Sequence, residues 1–430
     1  MNMLLTVILL LLVLSMLIWG IISKSRIYQF PFLVGAITFS FILPQLPALV
    51  NDRFLPEDAY AKTIFFTILC VAMCWLGWSP KAKPLSFFKH DFDEKRLLIV
   101  ALLFSLCGAF FYYKLSRLPG EMIVGVQMSG ASVMYLFFGR FLTYGLAIAV
   151  ICLANRLSWM ALVVICFDLV FYMDRLVVTG KRGEALELLI IFALAFYFYR
   201  GWVIPRFLIL AGIVLGTLLM TSMSDYRQIT RANSGPVWQD IMQIDVSANF
   251  ANAMRDGGGH EMQNAIYRIY NTEHMMEFDY GKFHWNRLVF NYVPAQLLGD
   301  RLKSSLMFSM PALARDYQPF TGTTETGMAD AFQSFWYFGA LKFLLLSYLM
   351  CRLWKSANSG AMAARFVYIL SIIPAMHAIS HQTDWVVMIW PHMLIFVVPA
   401  FIYARIPAAR IGLVFDRTNS DTQYMASASN

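Results

Sequence analysis

Two carboxylates and a histidine are the residues best suited to acid–base chemistry in this chain. The stretch TGTTETGMADAFQSFWYFG, residues 321–339, sets Glu325 and Asp330 among small residues just before a long apolar run. A carboxylate in such a place can act as a general base toward a hydroxyl group. It can equally cap a helix or pair with an arginine, so both interpretations stay open. His284, in the stretch KFHWNR, is a third candidate base.

Basic side chains form a second set of candidates, for binding an anion. In TGKRGEALELL, Lys181 and Arg182 stand at the start of a helical run. Because a helix N-terminus presents free N–H groups and partial positive charge, this stretch predicts a seat for a phosphate or pyrophosphate. The alternative is an interfacial anchor whose side chains extend toward water. Arg140 lies inside an apolar run, where a charge is costly and needs either a ligand or an ion pair.

Other residues with ligand chemistry predict no metal site and no cofactor. His377 and His381 share a helix face with Asp384 close by, but packing is the commoner role for such a pair. The six cysteines all fall inside apolar runs and are interpreted as small buried residues. The sequence contains no nucleotide-binding loop, zinc finger or RNA-binding motif, which argues against a nucleic-acid partner.

The composition is typical of a membrane protein. Of the 430 residues, 59% are hydrophobic and 14% are charged, whereas soluble domains carry about a quarter charged residues. Apolar runs of about 20 residues recur along the chain, and each can cross the hydrocarbon core of a bilayer. The sequence therefore predicts an all-α polytopic membrane protein of about eleven transmembrane helices. The predicted helices are 3–23, 29–50, 62–78, 97–113, 134–154, 157–173, 184–199, 205–223, 336–354, 366–380 and 385–404.

Lysine and arginine in the short loops predict the orientation of the chain. One set of alternating loops holds 16 of these residues, and the opposite set holds 7. Cytoplasmic loops carry an excess of basic residues, so the richer set is assigned to the cytoplasm. This assignment puts the N-terminus on the outer side of the membrane and the C-terminus in the cytoplasm. The net charge of +8 is attributed mainly to this bias.

The predicted helices divide the chain into four parts. They are an N-terminal bundle of about eight helices at 1–223, a large periplasmic loop at 224–335, about three helices at 336–404 and a cytoplasmic tail at 405–430. Two stretches of the loop, PVWQDIMQIDVSANFANAM and EMQNAIYRIYNTEHMMEF, have apolar residues at helical spacing and predict amphipathic helices. The loop is too rich in aromatic residues for a disordered linker, so it is expected to hold the functional site.

The layout and two motifs resemble the Wzy-type polymerases of O-antigen and capsule repeat units, and the related O-antigen ligases. The shared layout is a bundle of many helices with one large extracytoplasmic loop in the C-terminal half. TGKRGEALELL is similar to the family's small-x-Arg-Gly motif at the outer start of a helix, although Lys181 stands where serine is frequent. ETGMADAFQSFWYFG is similar to the family's acidic–aromatic–Gly run before a late helix.

The resemblance implies a metal-independent glycosyltransferase with a GT-C-like bundle, active at the periplasmic face. Its substrates would be undecaprenyl-diphosphate-linked oligosaccharides, with no nucleotide sugar or other cofactor. The lipid bilayer and a polysaccharide chain-length regulator are the further partners it suggests. Arginine suits bidentate contact with phosphate. The residues assigned to pyrophosphate or sugar contact are Arg182, Lys181, Arg140, Arg227, Arg287, Arg315, Trp285 and Tyr317.

Two other functions stay open from the sequence. An O-antigen ligase would use the same donor with a different acceptor, and the histidines of the loop leave room for it, although no ligase-type histidine motif is clear. A lipid-linked glycan flippase is the main alternative that is not an enzyme. Transporters often show internal repeats. The sequence has no such repeat and one asymmetric loop, which favours the polymerase.

Overall fold

The structure is a computed structural model, and it describes residues 1–118, 131–177, 182–232, 236–256, 260–311 and 323–406. Regular structure in these six stretches is helical, apart from one antiparallel bridge between Phe92 and Arg405. The predicted all-α class is therefore confirmed for the part of the chain that is described.

The helices are numbered in chain order. The first eight are α1 (Asn2–Ile22), α2 (Phe30–Leu49), α3 (Ala59–Leu76), α4 (Glu94–Ser116), α5 (Ala131–Asn155), α6 (Trp159–Val177), α7 (Arg182–Arg200) and α8 (Arg206–Thr221). The next seven are α9 (Met223–Ala232), α10 (Trp238–Met242), α11 (Val246–Asp256), α12 (Glu261–Met275), α13 (Lys282–Tyr292), α14 (Ala295–Leu298) and α15 (Asp300–Ser305). The last four are α16 (Gly327–Phe335), α17 (Leu341–Asn358), α18 (Met362–Met376) and α19 (Asp384–Ala404).

Seven helical segments of the described residues are long and apolar enough to cross a membrane. They are α1, α2, α3, α4, α5, the continuous stretch Gly327–Asn358, and α19. The chain is thus an all-α protein with the helices of a membrane protein, while the total of about eleven spans stays a prediction. α6 and α7 are 19 residues long, but each carries at least three charged side chains, which are costly in hydrocarbon. α8 and α18 are apolar but shorter.

The helix bundle has two ends with different side chains. We call the end that holds Glu325, Asp330 and Asp384 the carboxylate end. The opposite end, formed by 22–29, 77–93, 200–206 and 351–365, is the basic end. These segments meet through arginine and lysine: Arg206 Nη2 donates to Ile22 O at 3.0 Å, Arg352 Nε donates to Lys83 O at 3.0 Å, and Lys355 Nζ donates to Pro80 O. Such cations favour helix C-termini because they satisfy free carbonyl groups.

Helices of the predicted loop pack on the carboxylate end. α12 buries Met262, Ala265, Ile266 and Ile269 and contacts α3 and α16, so the helix predicted from its apolar spacing is confirmed. The other stretch, predicted as one helix, forms two, α10 and α11. The reason is Asp245, whose side chain accepts a hydrogen bond from the Ala248 backbone N–H at 2.9 Å and so starts a new helix.

α16 lies in the segment predicted as loop, yet its first eight residues are all buried. Its N-terminus is held against the turn that follows α18, because Gly327 N donates to Ile379 O at 3.1 Å. A Cβ atom at position 327 would lie 1.8 Å from Ala378 O. Only glycine allows this approach of two backbones, so the small residues of the motif serve close packing next to Glu325 and Asp330.

Candidate active site

Glu325 lies in the extended segment just before α16, and its side chain is 52% exposed. Its Oε2 atom accepts a hydrogen bond from Arg268 Nη1 at 2.8 Å and another from Gln382 Nε2. The other oxygen, Oε1, has no hydrogen bond within the described stretches. A carboxylate that is fixed through one oxygen and open at the other can accept a proton from a bound hydroxyl group.

The arginine that holds Glu325 is itself held by α16. Arg268, on α12, donates from Nε to Gln333 Oε1 at 2.8 Å while Nη1 binds Glu325. Its side chain is only 14% exposed, and shielding from water strengthens the attraction between the two charges. The packing of α12 on α16 therefore decides where the Glu325 carboxylate points.

A second arginine reaches the same carboxylate through an amide. Gln382 accepts at Oε1 from Arg287 Nη2 at 3.1 Å and donates through Nε2 to Glu325. Arg287 Nε also lies 3.3 Å from Asp384 Oδ2. Since the Arg287 side chain is 40% exposed, its guanidinium group keeps further N–H donors for a ligand.

Asp330 occupies a closed position in the interior. Its carboxylate accepts from the backbone N–H of Thr383 at 2.7 Å and from Thr383 Oγ1 at 2.9 Å. Lys342 Nζ lies 3.7 Å away, and the Asp330 side chain has no exposed area. Because this carboxylate meets no solvent, its position argues against the predicted role as a base. Asp330 instead fixes the turn that carries Gln382 to Glu325.

His284 joins the same network through Thr383. The Thr383 hydroxyl donates its single hydrogen to Asp330, so His284 Nε2 is the donor in the 2.6 Å bond to Thr383 Oγ1. Burial of the ring, and then the charge of Lys342, lower the pKa of His284 to about 3. The imidazole is thus neutral at pH 7, and a base of such low pKa removes protons weakly. Glu325 is the better candidate for the base.

Arg140 interrupts α5 and is exposed. It has no hydrogen bond or ion pair in the part of the chain that is described, although Tyr292, Asp384 and Glu187 lie within electrostatic range of its charge. An ion pair was one of the two interpretations of this residue, and the described residues do not form one. The free guanidinium group fits the other interpretation, a ligand contact.

The basic motif at the start of α7 is described only in part. α7 begins at Arg182 as predicted, but the Arg182 side chain lies outside the described atoms. The candidates outside the described residues are Lys181, Arg315 and Tyr317. Arg175, at the adjoining end of α6, forms an ion pair with Glu184 and lies over the Tyr112 ring at 4.4 Å. The junction of α6 and α7 is therefore charged.

Two further candidates from the sequence have defined surroundings. Trp285 Nε1 donates to Leu306 O at 2.8 Å, and the side chain is 46% exposed, so part of the indole is accessible to a ligand. Arg227 lies half-buried on α9. The neighbouring Tyr226 hydroxyl donates to Val177 O at 2.7 Å, which brings α9 to the charged junction of α6 and α7.

The residues that connect the site were not among the sequence candidates. Gln382 and Thr383 link Glu325, Asp330 and His284, but the only sequence signal was that SHQTD separates two apolar runs. Gln382 bonds to Glu325 across 57 positions and Thr383 to Asp330 across 53. Arg268 was missed for the same reason, since its contact with Glu325 also spans 57 positions.

Metal-ligating side chains do not converge in the described stretches, where no three His, Cys, Asp or Glu residues could hold an ion together. The histidine pair noted in the sequence has other partners. His377 Nδ1 bonds to Ile373 O at 2.9 Å, and His381 Nδ1 bonds to Ser380 Oγ at 2.9 Å. Both rings are thus hydrogen-bonded within the helix and turn that carry them.

Comparison with known proteins identifies no relative of this chain. No family model matches the chain, and neither a curated protein nor a solved structure is significantly similar to it. The chemistry of the site therefore rests on its own residues. These are a fixed and half-exposed carboxylate, with arginine side chains from several helices at the same end of an apolar bundle.

Proposed function

We propose that this chain polymerises oligosaccharide repeat units carried on undecaprenyl diphosphate, at the periplasmic face of a bacterial inner membrane. The observation that carries the proposal is the half-exposed Glu325 carboxylate, fixed by Arg268 and joined through Gln382 to Arg287. A polymerase of this kind needs a base for a sugar hydroxyl and cations for a diphosphate in one place. The arrangement at the carboxylate end meets both needs.

The proposed reaction transfers the growing glycan from its lipid diphosphate to the next repeat unit. A hydroxyl oxygen of the acceptor attacks the anomeric carbon of the donor and forms the new glycosidic bond. The bond between that carbon and the diphosphate oxygen breaks, and the diphosphate leaves with the electron pair. Glu325 Oε1 takes the proton of the attacking hydroxyl, which keeps the charges balanced without a nucleotide sugar.

Arginine side chains stabilise the departing diphosphate in this scheme. Arg287 is partly exposed and has N–H groups to spare, and Arg140 has no hydrogen bond or ion pair in the described part of the protein. Arg182 begins α7, where the partial positive charge of the helix N-terminus adds to its own. Arginine can hold two phosphate oxygens at once, and the exposed indole of Trp285 supplies a surface for a sugar ring.

The proposed orientation has eleven spans, with the carboxylate end in the periplasm. Seven helical segments of sufficient length and apolarity support the membrane location. The lysine and arginine side chains of the basic end support the placement of that end in the cytoplasm, because cytoplasmic loops carry an excess of these residues. Reporter fusions that place Glu325 in the cytoplasm would contradict the proposal, since the glycan donor would then lie across the membrane.

Glu325→Gln tests the proposed base. The amide cannot accept the proton, so chain growth should fall by about a hundredfold or more. In a deletion strain that carries the variant, the lipopolysaccharide ladder should shrink to a single repeat unit. Glu277→Gln is the matched control, because Glu277 is an exposed glutamate of the same loop segment and should support a full ladder.

Two results would count against the proposal. A full ladder from Glu325→Gln, at the protein level of the wild type, would exclude Glu325 as the base. A deletion strain that attaches no repeat unit at all would indicate a ligase or a flippase, since both act on every repeat unit and a polymerase acts only from the second onward.

A further inference from the structure

The basic end of the bundle contains a cavity that glycan polymerisation does not use. Its volume is about 920 Å³, and it lies where α1, α3 and α17 end. Five of its sixteen lining residues are aromatic: Trp19, Trp75, Trp78, Tyr197 and Trp354. None of these residues belongs to the network around Glu325, so the cavity is a separate feature at the opposite end of the same helices.

The cavity is positively charged. Arg26 and Lys355 line it, and the described lining includes no acidic side chain. Arg26 Nη1 donates to Trp19 O at 3.3 Å, and its guanidinium carbon lies 4.8 Å from the centre of the Trp19 ring. Lys355 Nζ donates to Pro80 O. Each cation thus binds a neutral carbonyl oxygen and keeps other N–H groups, so its charge is not neutralised by these contacts.

The wall is a preformed apolar surface with polar groups beside it. Tyr197 and Trp354 stack with their ring centres 5.5 Å apart and their planes at 13°, and Trp19 and Trp75 lie 6.4 Å apart. Hydroxyl and amide groups of the lining, such as those of Ser79 and Asn358, can donate hydrogen bonds. Tryptophan and tyrosine concentrate where lipid tails meet water, and Trp19, Trp75 and Trp354 lie near the ends of membrane-length helices.

We propose that this cavity binds the phosphate group of an anionic phospholipid, with the acyl chains against the aromatic wall. The phosphate would contact Arg26 and Lys355, and the apolar wall would cover the tails. A zwitterionic lipid brings its own ammonium group, which these two cations repel, so an anionic headgroup is preferred. Free phosphate would gain the charge contact but leave the aromatic wall uncovered.

Retention of lipid by the full-length protein tests the inference. The protein is placed in nanodiscs of phosphatidylglycerol and phosphatidylcholine, released gently, and its bound lipids are counted by native mass spectrometry. The wild type should retain phosphatidylglycerol preferentially. R26Q/K355Q removes both charges, while glutamine can still donate to Trp19 O and Pro80 O. We expect the preference of this variant for phosphatidylglycerol over phosphatidylcholine to be about tenfold weaker than that of the wild type.

The matched control is K24Q/K89Q, which removes two exposed charges near the basic end but outside the cavity. It should keep the preference for phosphatidylglycerol. Equal retention by the wild type and R26Q/K355Q would overturn the inference. If inorganic phosphate alone displaces the retained lipid, the ligand is a free phosphate, and the lipid assignment is wrong.

A second measurement avoids any variant that fails to fold. Brominated lipids quench tryptophan fluorescence on contact, and three tryptophans of the wall, Trp19, Trp75 and Trp354, lie on helices that end at the cavity. Brominated phosphatidylglycerol should quench the unmodified protein more strongly than brominated phosphatidylcholine. Equal quenching by the two lipids would also overturn the inference. Neither result depends on glycan chemistry, so the test is independent of the proposed polymerase.

Discussion

Charged side chains have different partners at the two ends of the bundle. At the carboxylate end, acidic and basic side chains are matched, as with Glu325 and Arg268 at 2.8 Å. At the basic end, several cations bind backbone carbonyls, as Arg200 Nε does with Ala154 O at 2.8 Å, and the ion pair of Arg96 with Asp93, at 3.7 Å, is exposed. An ion pair requires a particular acidic residue beside a particular basic one. A contact between a cation and a carbonyl requires only a positive charge near the end of a helix.

The difference predicts how each end tolerates substitution. An ion pair closed to water leaves an uncompensated charge when one partner is removed. A cation on an exposed carbonyl leaves a group that water can solvate. Changes at the carboxylate end should therefore have larger effects than equivalent changes at the basic end, and three pairs of variants test this contrast.

Asp330→Asn should give the largest loss of stability. The change leaves the partly buried Lys342 ammonium group without the buried carboxylate that lies 3.7 Å from it, at a cost of about 3 kcal/mol. Asp93→Asn is the counterpart at the basic end, where Asp93 caps a helix and forms an exposed ion pair with Arg96 at 3.7 Å, a kind of pair that contributes little to stability. It should cost less than about 1 kcal/mol because asparagine also caps helices. Thermal unfolding in detergent measures both.

A companion variant distinguishes the cause. In D330N/K342M the unpaired, partly buried charge of Lys342 is gone, so part of the lost stability should return. If Asp330→Asn unfolds at the same temperature as the wild type, the pair does not stabilise the turn at Thr383. Substitutions at the carboxylate end would then not be more destabilising than those at the basic end, even where the carboxylate is buried.

Arg140→Gln should have the next largest effect, on activity and not on stability. The residue has no partner in the described stretches, so its removal breaks no protein contact. Loss of a charged hydrogen bond to the diphosphate should weaken turnover of the lipid-linked donor by about tenfold to a hundredfold. Arg352→Gln, at the basic end, should leave turnover unchanged. If both variants turn over the lipid-linked donor at similar rates, Arg140 does not contact the substrate.

The smallest effect is expected for His284, whose protonation should make the stability of the protein depend on pH. The pKa of His284 is lowered from 6.5 to about 3, so between these values the unfolded chain binds a proton that the folded chain excludes. Stability is therefore retained above about pH 6.5 and falls as the pH falls, by at most about 1.4 kcal/mol per pH unit. His284→Gln should flatten the unfolding temperature between pH 7 and pH 5. His90→Gln, an exposed control, should not.

The helices were largely predictable from the sequence, but the role of one segment was not. The eleven predicted apolar runs all contain helix, because runs of apolar residues act locally. α16 was assigned to the end of the loop, as the stretch that leads into the helix predicted at 336–354. Its residues are nevertheless buried, because Thr383 and Arg268 supply partners for the side chains of Asp330 and Gln333.

The candidate site was predictable in its parts and not in its connections. Glu325, His284 and Arg287 were named from residue type and position, and the structure joins them in one network. The joining residues, Gln382 and Thr383, could not be named in advance. Their contacts cross more than fifty positions and depend on how α16 packs against the start of α19.

The sequence by itself determined where apolar helices form and which loops carry the basic residues, because both follow from composition within short stretches of chain. Only the tertiary structure decided that Asp330 is closed to water, that Arg140 lacks a partner in the described residues and that rings from α1, α3, α7 and α17 line one cavity. Burial and pairing depend on neighbours that are distant in sequence, and those neighbours are set by helix packing.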